Sequence, residues 1–276
     1  MSLRITFTTT TRILRQLRHD RRTVALMVVV PSVLLTLMRY VFDAQPMLFD
    51  RIGLIMLGVF PFVVMFLITS VAMLRERTTG TLERLLTTPM NKLDLLLGYG
   101  IAFALAAALQ AAVAVSLAYA LLDLDTVGSA WTVGGIAIAN AVLGMAIGLF
   151  VSAFAQSEFQ AVQFMPAFVL PQFLLCGLIT PRDQLVNWLH AISNALPMSY
   201  SVEALTEVGA HATPTGEMWK DVMIIVGSIV ISLLLAHGAD DGALVVQVAL
   251  RSGDEQAVAA LLGGIVDALQ DLAEEG

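Results

Sequence analysis

The chain has 276 residues, of which 58% are hydrophobic and 13% charged, with a mean hydropathy of +0.82. So little charge cannot cover a soluble body of this size, the same numbers exclude disorder, and the single Cys176 excludes a disulfide scaffold. The net charge of −7 lies in residues 237–276, where eight acids face the one base Arg251; no basic stripe outside the N-terminal segment points to a nucleic-acid partner.

Residues 3–18 place Leu3, Phe7, Leu14 and Leu17 near one helical face and Arg4, Arg12, Arg15 and Arg18 around the other. The pattern reads either as a basic amphipathic helix in the membrane interface, its arginines on anionic lipid headgroups, or as a topogenic arginine cluster with no separate role. Six apolar segments follow, at about 23–42, 52–74, 95–122, 131–155, 159–180 and 219–236. A helix needs about 20 apolar residues to cross roughly 30 Å of hydrocarbon. The segments lack the alternation of barrel strands, so the expected fold is an all-α membrane protein with six transmembrane helices. A cleavable leader is the competing reading of residues 1–45; the 22-residue polar lead-in and the lack of an A-x-A-like site oppose it. The first span is then a permanent helix bent near Pro31.

Orientation follows from the bases. The N-terminal segment (Arg4, Arg12, Arg15, Arg18, Arg21, Arg22) and the loop after the second span (Arg75, Arg77, Arg84, Lys92) hold ten, against four on the other side (Arg39, Arg51, Arg182, Lys220). Both termini are expected in the cytoplasm.

The loop at 75–94 is the most informative stretch. Thr79, Gly80 or Thr81 can cap a helix whose first turn holds Glu83, and Pro89 ends it by restricting Thr88. The short helix displays Leu82, Leu85 and Leu86, and reads either as a piece that docks into a groove on a soluble partner or as a capped interfacial turn.

Glu76, Gly80-Thr81-Leu82-Glu83, Leu85 and Thr88-Pro89 closely resemble the pattern after the second span in the ABC transporter type-2 permease family, in its daunorubicin-resistance-like bacterial drug-exporter branch. The likeness covers residues 1–236. It implies a coupling helix that receives force from a separate ATP-binding-cassette subunit, with Glu76, Gly80, Thr81, Leu82, Glu83, Leu85, Thr88 and Pro89 as the coupling residues. It also implies a pathway built with a second copy of the chain, a bacterial plasma-membrane location, and ATP and Mg bound by the partner rather than by this chain.

The fifth segment carries Pro166 and Pro171, which break the helical ladder, together with Gln163, Phe168 and Gln172. Freed carbonyls at membrane depth must be buried in protein or face water. These five residues are the translocation-pathway candidates, the alternative being ordinary packing of a kinked helix. Gln110 and Asn140 read as interhelical hydrogen-bond partners. Leu185, Trp188, Leu189, Ile192 and Leu196 form a helical stripe stopped by Pro197, at the outer leaflet or dipping back into it. The resemblance implies a pair of short outer-face helices there, acting as an external gate.

The chain divides into a permease domain, 1–236, and an acidic tail, 237–276. In the tail Gly238 and Gly242 read as a linker, Ala243 to Leu250 as a weak strand, and Ser252-Gly253-Asp254-Glu255 as a capping box before an amphipathic helix. That helix needs a protein surface, either the second copy or the ATP-binding subunit, unless the terminus is foreign and carries no role.

No G-x-x-x-x-G-K-[S/T] occurs, since Lys92 and Lys220 are the only lysines and neither follows a glycine. The histidines are scattered and the span centres hold no Asp, Glu, Lys or His, so neither a metal site, a catalytic group nor an ion-coupled carrier is expected. The function expected is export of a drug-like or amphiphilic small molecule, driven by the partner's ATP. The alternatives are a lipid or glycan exporter of the same architecture, and a non-transporting scaffold or immunity component.

Overall fold

The computed structural model describes residues 3–78 and 92–252, and the regular elements among them are all helical. Helix α1 (Leu3–His19) ends at Asp20, which caps α2 (Arg21–Val41) by accepting from the Thr23 amide at 3.2 Å and the Thr23 hydroxyl at 2.6 Å. Then come α3 (Pro46–Thr78), α4 (Lys92–Leu121), α5 (Ala130–Ser152, capped by Ser129) and α6 (Glu158–Leu175, capped by Ser157). A short 3-10 turn at Arg182–Gln184 leads to α7 (Asn187–Ala195), α8 (Pro197–Ala210) and the long α9 (Gly216–Ser252).

Five helices among the described residues are long and apolar enough to cross a membrane: α2, α3, α4, α5 and α9. The expected span at 159–180 is shorter, and α6 is not one of the five. Glu158, Gln160, Gln163 and Gln172 dilute its apolar run. Gly177, at φ +94°, turns the chain back just after Leu175, in a backbone conformation that L side chains rarely adopt.

Helix α5 is the hub, packed on α3, α4, α8 and α9, and its contact with α3 is the most extensive among the described elements. Small residues make that contact possible. A Cβ added to Gly144 would stand 2.3 Å from the Phe62 carbonyl oxygen, and one added to Gly148 would stand 2.6 Å from that of Phe66. The apolar windows of α3 and α5 are each 67% buried, whereas those of α2 and α9 are 17% and 11% buried and lie at the rim.

Helix α1 packs on α4, but through a face other than the expected one. Thr6, Thr9, Thr10 and Ile13 are buried, Leu14 and Leu17 are partly buried, and Phe7 is 74% exposed. The reason is close approach at Gly98, where a Cβ would meet the Thr9 side chain at 2.7 Å. Only small side chains fit, and the Thr10 hydroxyl satisfies the Gly98 carbonyl at 3.2 Å.

The expected linker at Gly238–Gly242 and strand at 243–250 are corrected: α9 runs unbroken through both to Ser252. Extending a formed helix adds a hydrogen bond for each residue fixed, while a lone strand finds no sheet among the described residues. The amphipathic helix expected after Ser252 lies outside those residues.

Candidate functional site

Two neighbouring residues at the end of α3 tie it to different helices. Arg75 makes a two-pronged pair with Glu158 at the start of α6, Nε to Oε1 at 2.7 Å and Nη2 to Oε2 at 3.0 Å. Glu76 turns inward, is 8% exposed, and accepts from Gln16 Nε2 of α1 at 3.2 Å. Beside it the Tyr99 hydroxyl of α4 accepts from Arg12 Nη2 at 2.8 Å, and the Arg12 guanidinium lies 5.9 Å from the Tyr99 ring centre. Thr6 of α1 donates to Asp94 of α4 at 3.4 Å. The last turn of α3 is thereby linked directly to α1 and α6, and through α1 to α4.

The other residues expected to couple, Gly80, Thr81, Leu82, Glu83, Leu85, Thr88 and Pro89, lie outside the described residues, directly after this anchored turn. Of the arginines expected at the membrane interface, Arg4, Arg15 and Arg18 are exposed, whereas Arg12 is turned onto Tyr99.

Between α1, α2, α3 and α4 opens a cavity of about 480 Å³. Leu26, Leu67, Ile68, Val71 and Phe103 form much of its wall, Val162 of α6 reaches it, and Asp20 and Glu76 supply carboxylates. Thr23 hydrogen bonds hold the Asp20 carboxyl below its ordinary value.

The pathway candidates of α6 separate into two faces. Gln163, Pro166, Phe168 and Pro171 are exposed, with Phe168 6.4 Å from the Phe66 ring and 6.5 Å from the Phe164 ring. Gln172 is buried. It donates to the Phe168 carbonyl at 3.2 Å and accepts from the Met198 amide at 3.3 Å, in the first turn of α8. Helix α8 has no capping side chain of its own, so α6 supplies the acceptor that its buried N-terminus needs. Asn140 of α5 completes this layer, donating to the Gly58 carbonyl at 2.8 Å and accepting from the Ser201 hydroxyl at 2.8 Å. The expected pair of short helices is therefore present as α7 and α8, and α8 is sunk into the bundle rather than laid on it.

One organising residue escaped the sequence reading. Arg182, counted there only as a base, donates to Ser193 Oγ at 3.0 Å, to Asn194 Oδ1 and to Glu203, and lies 4.8 Å from the Tyr200 ring centre. It joins the 3-10 turn to α7 and α8. Its partners are 11 to 21 residues away, beyond any local spacing rule. Among the described residues no group of three or more His, Cys, Asp or Glu gathers as a metal site.

Residues 5–208 match the ABC-2 type transporter family. The chain is 24% identical to ABC transporter G family member 20 of Dictyostelium discoideum over 61% of its own length and 23% of that protein's. It is 20% identical to the probable multidrug ABC transporter permease YbhR of Escherichia coli strain K12, over 56% of the chain and 42% of that protein. ABC transporter G family member 23 of Dictyostelium discoideum is 24% identical over 58% of the chain and 23% of its own length. The chain thus spans between about a quarter and two fifths of the length of the curated relatives it matches.

Proposed function

The chain belongs to the ABC-2 type transporter family, as a multi-pass membrane permease, and from that premise we propose that it is the membrane-spanning subunit of an ATP-driven exporter of amphiphilic, drug-like molecules. A separate ATP-binding-cassette subunit binds ATP and Mg, two copies of the chain form the pathway, and α6 serves as a sixth crossing. The membrane is the bacterial plasma membrane with both termini in the cytoplasm. The name of the Escherichia coli relative, a probable multidrug permease, supports the substrate class.

One observation carries the mechanism. Arg75 and Glu76, adjacent in sequence and immediately before the coupling segment, grip α6 and α1 respectively. When the partner subunits close on ATP, a push on residues 79–91 reaches the last turn of α3 and is shared with both helices. A two-pronged arginine–carboxylate pair resists shear better than a single contact, so α6, with its exposed Gln163, Pro166, Phe168 and Pro171, moves with α3. ATP supplies the differential free energy between the two states.

The test is affinity purification from native membranes, comparing wild type with Glu83→Arg. An ATP-binding subunit is expected with the wild type, and its recovery should fall with the reversed charge. If none accompanies either version, the exporter reading fails and a scaffold role replaces it.

A further inference from the structure

Asp221, in the second turn of α9, is 4% exposed, and its Oδ2 makes no hydrogen bond. Met218 and Ile225, three and four residues away on the same face of α9, belong to the buried cluster that holds Val202 and Leu205 of α8. The carboxyl therefore stands in the seam between α8 and α9. A buried carboxylate oxygen is costly there unless a donor or a cation meets it. The charged groups within electrostatic reach are Glu203 of α8, Arg182 of the 3-10 turn, and Lys220 and Glu217 of α9 itself. Lys220 is turned about 100° around the helix from Asp221. Its side chain is 67% exposed, with Nζ 3.4 Å from Glu217 Oε2. Of the two cations, that leaves Arg182. Its side chain is 12% exposed and pairs with Glu203, whose own side chain is 49% exposed. One guanidinium thus stands between a solvent-side carboxylate that it holds and a buried one that it does not.

We propose that Arg182 is a two-position latch, which holds Glu203 in this arrangement and exchanges it for Asp221 in a second one. Asp221 lies deeper than Glu203, so the exchange draws the turn at 182–184 inward against α9. Helix α7 travels with it, because Ser193 and Asn194 accept from the same guanidinium. The unpaired oxygen of Asp221 is the vacant half of the latch. The proposal goes beyond the exporter reading and does not require it.

The test uses the purified full chain in nanodiscs and compares thermal midpoints of Asp221→Asn, Glu203→Gln and the double variant. Asp221→Asn keeps the shape and removes the charge. In the wild-type background it should raise the midpoint by about 3 °C, because the charge it removes is unpaired. In the Glu203→Gln background the same change should lower the midpoint by a similar amount, because Asp221 is then the partner of Arg182. The reversal of sign is the signature. Repulsion between Glu203 and Asp221, or an Asp221 that is neutral throughout, alters the size of the effect without reversing it. Spin labels on Gln184→Cys and Gly216→Cys, at two exposed positions, read the movement, while Cys176 stays buried. The distance between them should shorten in Glu203→Gln and return in the double variant. An effect of Asp221→Asn with the same sign in both backgrounds, or a distance that ignores Glu203→Gln, overturns the latch. Glu203 is half exposed and tolerates the change to Gln, so the label distance decides the matter even if Asp221→Asn does not fold. Recovery of an ATP-binding subunit is a separate result, and neither outcome bears on the other.

Discussion

Arg182 holds three side chains and a ring with one guanidinium, while its own side chain is 12% exposed. Lysine keeps the charge but presents one compact ammonium, which cannot serve Ser193, Asn194 and Glu203 in the same fork geometry. Arg182→Lys is therefore expected to cost about 2 kcal/mol, the scale of a charge-assisted hydrogen bond, read as a lowered thermal midpoint in detergent with faster proteolysis between α7 and α8. Asp20 works differently. Its carboxyl is held below the ordinary 3.8 by Thr23, so the folded state favours the ionised form. That stabilisation is complete above pH 3.8 and is lost as the pH falls through the lower folded value. Asp20→Ala should lower stability by about 1 kcal/mol at neutral pH, and the gap to wild type should close on acidification below that point. A thermal midpoint that differs equally at pH 3 and pH 7 would contradict the cap.

Interfaces between helices set the next scale. A Cβ on Gly144 collides with backbone rather than with a yielding side chain, so α3 and α5 must separate to admit one. Gly144→Val is expected to cost about 3 kcal/mol, the upper range of overpacking penalties, and to depress the midpoint more than Gly100→Val, which meets nothing within 4 Å. The same scale explains what could be read in advance. The long apolar spans were legible because lipid demands continuous hydropathy, and α7 because Trp188, Leu189 and Ile192 keep a helical period up to Pro197; that a second short helix follows came from the family resemblance and not from the period. The packing face of α1 was not legible, because a threonine face looks polar until a glycine opposite makes small size matter more than hydropathy. Glu76 stood out by motif, but its burial did not. Nor did the reach of Gln172 to α8, since both depend on residues distant in the chain.

At the scale of the whole molecule, α3 and α5 form a tight centre while α2 and α9 sit at the rim with most of their surface outward. Ala236 of α9 belongs to the buried cluster that also holds Ile13, Leu95 and Tyr99. The helix continues from there to Ser252, a further rise of about 24 Å at 1.5 Å per residue. That length is expected to carry the helix end past the lipid headgroups, where a few degrees of tilt within the bilayer become several ångströms of sweep at the tip. A fluorophore at Ala249 should escape a quencher confined to the headgroups, while one at Leu234 should be quenched. During turnover the tip would then trace a larger arc than any residue in the bundle, making it the place on the chain where small rotations are easiest to see.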